Sequence, residues 1–222
     1  QRRREFQRRP HHLDDESLLA GPRDQRRARV VGGGQTNNPS VQDIADAVRS
    51  LGSDAVVVLP NNKNIILAAE RVPELVPEKR VVVLPTRTLG QGLAAVVAFA
   101  ETEELDALLP AMERAAKGAR TLEVTMASRD ASIDGVEVSE GAAIGLLDGA
   151  LVHTAPTPEA CLLAMLADVA DDAELGTLFY AVATGEVAAK QLAARIEEAY
   201  PDLEVEMHGG GPDLYPYLMV LE

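Results

Sequence analysis

Side chains able to hold a ligand or a partner gather in three short turns, each directly after an apolar run. The first turn carries Gln35, Thr36 and Asn37; the second Asn61, Asn62, Lys63 and Asn64; the third Thr86, Arg87, Thr88 and Gln91. Amides and hydroxyls both donate and accept hydrogen bonds, while Lys and Arg donate and carry charge. That chemistry recognises carboxylates, phosphates or peptide groups. Asn is a good helix N-cap, but a cap needs one such residue, so the surplus in the second turn favours recognition. His208, at a strand end before Gly209, Gly210 and Gly211, is open both to a structural role and to ligand hydrogen bonding. His153 reads as structural, and Tyr215 and Tyr217 as anchors of a last strand. No Ser-His-Asp set, nucleophile elbow, metal-binding helix or clearly spaced carboxylate pair is present. Gly32–Thr36 lacks the Gly-Lys-Ser/Thr of a phosphate loop, and its glycines suit a tight turn. His11 and His12 have no further metal ligands nearby.

The elements that must position these turns follow from hydropathy. From Val30 onward, a β-branched run, a polar turn and a helical pattern recur three times. Continuous Val and Leu runs suit parallel strands covered on both faces, and their alternation with helices makes βαβ units. The polar turns then follow strand C-termini, the edge of an open parallel sheet where ligands gather. Ser40 and Asp43 have capping-box spacing. Ile65, Ile66 and Leu67 open an apolar helical segment expected to face the core. After a helix at Glu103–Lys117 the period changes to strand-like alternation, with Asp-Gly hairpin signals at 134–135 and 148–149. Thr157 then caps a helix with Pro158 in its first turn, and strand, helix, strand and strand follow. The expected fold is α/β in two lobes: a parallel βαβ sheet, then a mixed sheet with antiparallel hairpins. The expected divisions are an arm or linker over 1–29, with a short helix at Asp14–Ala20, and lobes over 30–110 and 111–222.

Composition narrows the partners. The chain has 222 residues, 46% hydrophobic and 25% charged, which is enough for a sizeable core. Residues 1–30 carry a net +4, so the chain's −14 leaves −18 for residues 31–222. A body that acidic repels phosphate backbones, and 3% aromatics is too few for base stacking, so nucleic acid is not expected. No apolar run has the roughly 20 residues of a membrane span, and the N-terminus has no signal-peptide core. The single cysteine, Cys161, fits a reducing cytoplasm.

GGQTNNPSVQDI, LPNNKNIILAAE, LPTRTLGQGLAA and HGGGPDLYPYLMVLE together resemble the C-terminal region of bacterial dihydroxyacetone-kinase-like proteins, a group that includes the ATP-binding subunit of fatty acid kinase. The resemblance runs from about Gly32 to Glu222. Asn37 stands where the family usually has Met. The resemblance implies a non-catalytic module: ATP and magnesium belong to an N-terminal kinase domain with no counterpart in these 222 residues, and no cofactor is expected here. A fainter likeness reaches the DegV family of fatty-acid carriers, the partners of that kinase in phospholipid metabolism. Those proteins place Ser/Thr-rich turns around an acyl carboxylate, whereas amides and bulky Ile65 and Ile66 stand here.

Two functions fit. The chain either docks a DegV-type acyl carrier beside its own kinase domain, or binds a fatty acid or phosphorylated compound at the Asn61/Thr86 loop edge. A homo-oligomer is compatible with either.

Overall fold

The computed structural model describes residues 17–20, 29–32, 38–99, 105–133 and 136–222. The first sheet contains β1 (Ser17–Ala20), β2 (Arg29–Val31), β3 (Ala55–Leu59) and β4 (Arg80–Val83), in the order β2-β1-β3-β4. β3 and β4 pair in parallel, with Val58 opposite Val83. β1 is antiparallel to both β2 and β3. β2, β3 and β4 therefore share one direction, as βαβ units require, with one reversed strand interposed. This corrects the reading of 1–29 as an arm, since Ser17–Ala20 is a sheet strand and not a helix end. The edge positions and backbone pairing that make it so lie in residues up to Leu59, beyond the reach of a local pattern.

Local chemistry starts and stops the helices. α1 (Val41–Ser50) begins with the expected capping box: the Ser40 N–H donates to Asp43 Oδ2 (2.8 Å), and the Asp43 N–H donates to Ser40 Oγ (3.2 Å). The segment after the second polar turn is two short helices, α2 (Ile66–Ala69) and α3 (Val72–Leu75). Pro73 explains the break, because its ring would clash with the Ala69 carbonyl of a continuous helix. Of the three residues expected to face the core, Ile65 is 1% exposed, Ile66 is half-buried and Leu67 is 75% exposed. Leu67 thus corrects that expectation.

α4 (Leu89–Phe99) and α5 (Leu105–Gly118) cover the other side of the first sheet. Ala95, Phe99, Leu108, Met112 and Ala116 form one core with Val57, Leu59 and Leu84. α5 therefore belongs with the first lobe along its length, and a boundary at 110 would cut it. Ile44, Val48, Val56, Val58, Ile65 and Val72 form the core on the opposite face.

The second sheet has the order β11-β10-β12-β5-β8-β9, built from β5 (Arg120–Met126), β8 (Ala143–Leu147), β9 (Ala150–Ala155), β10 (Leu175–Tyr180), β11 (Glu204–Gly209) and β12 (Tyr217–Leu221). Only β10 and β11 pair in parallel, so the lobe is mixed as expected. A separate pair, β6 (Ala131–Ile133) and β7 (Val136–Val138), forms the antiparallel insert. Asp148 and Gly149 turn β8 into β9 with φ of 50° and 80°, the backbone of a tight two-residue hairpin. α6 (Pro158–Val169), capped by Thr157, and α7 (Glu186–Ala199) cover one face. There Leu122, Val124, Leu162, Leu166, Leu178, Leu192, Tyr217 and Met219 form the largest core. The opposite face turns to the first lobe, where Ala94 of α4 packs with Leu218 and Val220. Among the described residues no helix is long and apolar enough to cross a membrane.

Candidate functional site

The parallel register of β3 and β4 sets the second and third polar turns side by side. The Leu84 N–H donates to the Val58 carbonyl (3.0 Å), one step beyond the last strand pair. The turns are then tied together by side chains. The Asn61 N–H donates to Thr86 Oγ1 (3.0 Å), and the Thr86 hydroxyl donates to Asn61 Oδ1 (2.8 Å). Asn61 is 4% exposed and Thr86 1%. Asn61 has φ of 56°, a left-handed conformation that Asn tolerates better than most residues. Gly92 makes room for it: a Cβ there would lie 2.0 Å from Asn61 Oδ1.

The remaining members divide by role. Asn62 Oδ1 accepts from the Asn64 N–H (2.9 Å), a local Asx turn. Thr88 caps α4, its Oγ1 accepting from the Gln91 N–H (3.3 Å), and Gln91 Oε1 accepts from the Arg87 N–H (2.8 Å). Thr88 Oγ1 also lies 2.7 Å from Thr121 Oγ1 of β5, a fully buried hydroxyl pair that joins the lobes. Gly90 lets α4 come this close, since a Cβ there would meet Thr121 Oγ1 at 2.4 Å. Lys63, Asn64 and Arg87 are left exposed, with Asn62 half-buried.

These groups form one wall of a cleft of about 400 Å³ between the lobes. Asn61, Asn62, Lys63, Asn64, Arg87 and Thr88 line the first-lobe side; Glu123, Leu146, Asp148, Gly149, Ala150 and Tyr215 line the other. Glu123 is 7% exposed and Tyr215 5%. Asp148 is engaged: Arg120 Nε donates to its Oδ2 (2.7 Å) and the Thr121 N–H to its Oδ1 (2.8 Å). Cations thus stand on one wall and carboxylates on the other. A second depression, of about 430 Å³, lies between the third turn and α5 and takes in Arg87 and Gln91.

Six of the residues singled out in the sequence therefore meet at one cleft, with Thr86 locked beneath and Gln91 on the flank. Gln35, Thr36 and Asn37 lie outside the described residues. His208 is elsewhere: it sits on edge strand β11, with β10 and β12 between it and β5. Its ring stacks on Phe179 at a centroid distance of 5.5 Å, and its Nε2 lies 3.9 Å from Glu206 Oε2. From that glycine-rich segment it is Tyr215 that reaches the cleft. Glu123, Asp148 and Tyr215 were not singled out for this site. The signal available for Glu123 was the run Thr121, Glu123, Thr125, which places only polar residues on one face of β5.

Two groups elsewhere bear on chemistry. His153 Nε2 lies 2.7 Å from Asp168 Oδ2 and fastens β9 to α6. Cys161 is fully buried, and burial pushes its thiol up to about 11. A thiol reacts as thiolate, so Cys161 is expected to resist maleimide at pH 7.5 in the folded protein and to label fully in urea. Its folded pKa is raised, so its contribution is constant below about pH 8.5, the ordinary thiol value. It turns destabilising as pH rises from there toward 11, because only the unfolded chain can ionise. Labelling in the native state as fast as in urea would contradict this burial.

Solved structures share the fold. The Streptococcus pneumoniae fatty acid kinase B3 protein loaded with linoleic acid aligns with a TM-score of 0.58 at 12% identity, covering 94% of this chain and 90% of that one. DegV, a fatty acid binding protein from Bacillus subtilis, aligns at 0.58 and 13%, covering 93% and 89%. Sequence relatives are nearer. Protein YloV of Bacillus subtilis is 37% identical over 194 residues, 87% of this chain and 35% of YloV. A Staphylococcus saprophyticus protein is 32% identical over the same shares. This chain thus spans about a third of the length of those relatives. The model of the FakA-like C-terminal family, the C-terminal part of a fatty acid kinase component, matches residues 22–222. Through that match, the chain belongs to the FakA-like C-terminal family of fatty acid kinases.

Proposed function

We propose that this chain is a docking module. It holds a DegV-type fatty-acid-binding partner in the cytoplasm beside a kinase domain outside this chain, which supplies ATP- and magnesium-dependent phosphoryl transfer. Tethering the carrier raises the effective concentration of the acyl substrate without any new catalytic group. The family match supports the setting. The observation that carries the reading is the Asn61–Thr86 lock. Both side chains bind each other and are buried, so the edge displays Asn62, Lys63, Asn64 and Arg87 outward. Two cations on an acidic body suit carboxylates on a partner.

Fatty-acid binding by the chain itself is the alternative, favoured by its fold likeness to acyl-loaded proteins. An alkyl chain gains about 0.8 kcal/mol for each CH₂ it buries against apolar surface. The cleft offers such surface only at Leu146, Ala150 and the Tyr215 ring.

The double substitution Lys63→Ala with Arg87→Ala tests the reading. Both residues are exposed, so folding should change by under ~0.5 kcal/mol. Affinity for an acyl-loaded DegV-type carrier, titrated calorimetrically, is expected to fall by about 1–3 kcal/mol. Equal affinity would rule out this edge. Saturable binding of oleate to the chain alone would favour the alternative.

A further inference from the structure

Resting on that docking reading, we infer that the inter-lobe cleft receives a short mixed-charge peptide segment of the partner. The segment presents a carboxylate to Lys63 and Arg87 and a cation or N–H donor to Glu123. A docking edge made of the two turns alone would need only the first lobe. Here the second lobe faces them with a wall of its own, made by β5 and the β8–β9 hairpin.

The chemistry of the walls selects the occupant. Lys63 and Arg87 stand on one side and Glu123 on the other, so the site is dipolar. A purely acidic segment would meet Glu123 and the acidic body, and a purely basic one would meet the two cations. A segment carrying both signs satisfies both walls. Asp148 is already held by Arg120 and the Thr121 N–H, so it fixes the hairpin turn. A carboxylate has about four acceptor sites, so Glu123 can take a further donor. The Asn62 and Asn64 amides match the N–H and C=O groups of an extended backbone. The volume, about 400 Å³, is on the scale of small-ligand clefts (roughly 300–1,000 Å³), enough for a few side chains and too small for a folded element. The Thr88–Thr121 hydroxyl pair joins the two walls, so they present one geometry to the incoming segment.

The test fills the cleft from its second-lobe side. Ala150 is exposed on the hairpin and lines the cleft. In Ala150→Cys the new thiol is the accessible one, because Cys161 is buried with a raised pKa. Unlabelled Ala150→Cys should bind the DegV-type carrier as the unaltered chain does. The same protein labelled with fluorescein maleimide should bind at least about tenfold more weakly. Glu123→Gln, nearly isosteric, should weaken binding about three- to tenfold and reduce its salt dependence. Undiminished binding by the labelled protein, alongside weakening by the Lys63/Arg87 double substitution, would overturn cleft insertion and leave edge docking standing. Undiminished binding in Glu123→Gln would overturn the donor contact. If the double substitution has no effect either, the docking reading itself fails. A small molecule retained in the cleft and seen by native mass spectrometry would also overturn the proposal.

Discussion

Gly92→Ala is expected to destabilise the protein by about 1–3 kcal/mol. In an exposed helix interior the same exchange stabilises by up to ~1 kcal/mol, so the sign is reversed. The cause is steric. The added Cβ would lie 2.0 Å from Asn61 Oδ1, 2.6 Å from its Cγ and 2.7 Å from its Nδ2. Asn61 cannot swing aside without giving up its two bonds with Thr86. Both residues are buried, so broken partners would stay dry. Gly118 at the end of α5 supplies the control, since a Cβ there meets nothing within 4 Å. Gly118→Ala should be neutral or slightly stabilising. Urea unfolding with a shared m-value measures both. Gly92→Ala as stable as the unaltered chain would mean that Asn61 is not held in this pose.

Ile65→Ala should be costlier still, about 2–5 kcal/mol, while Leu67→Ala stays within ~0.5 kcal/mol. The two residues are two positions apart, both apolar, and both follow the polar turn. Ile65 is 1% exposed and packs in the core formed by Ile44, Val56, Val58 and Val72. Its N–H donates to the Asn62 carbonyl (3.0 Å), so it anchors the turn that carries Lys63. Loss of its side chain should therefore speed amide exchange of Asn64 and Ile65 as well as lower stability. Leu67 is 75% exposed and has little packing to lose. Equal costs at the two positions would show that the whole segment faces inward, as its hydropathy suggests.

Much of this fold was legible where the deciding interaction is local. The Ser40–Asp43 capping box, Thr157 ahead of Pro158, and the Asp148–Gly149 turn each involve residues at most three apart. The runs at Ala55–Leu59 and Arg80–Val83 followed by polar turns announced parallel strands. Adjacency of the second and third turns then follows, because parallel neighbours end at the same sheet edge. Side-chain type alone brought Asn61, Asn62, Lys63, Asn64, Arg87 and Thr88 to notice together.

Tertiary structure decided what those residues do. Asn61 and Lys63 sit in one polar tetrapeptide, yet Asn61 is buried by a threonine 25 positions away and Lys63 is exposed. Glu123, Asp148 and Tyr215 became a wall of the cleft because the lobes meet at Thr88 and Thr121, 33 residues apart. His208 stayed outside because β10 and β12 fall between its strand and β5. Ser17–Ala20 joined the sheet through pairing with Arg29–Val31 and with Val57, Val58 and Leu59. Caps, turns and strand propensity depend on neighbours a few residues away, and so are written in the sequence in readable form. Strand order, lobe contact and the direction in which a polar side chain is satisfied depend on groups that only chain folding brings within about 3 Å, the reach of a hydrogen bond.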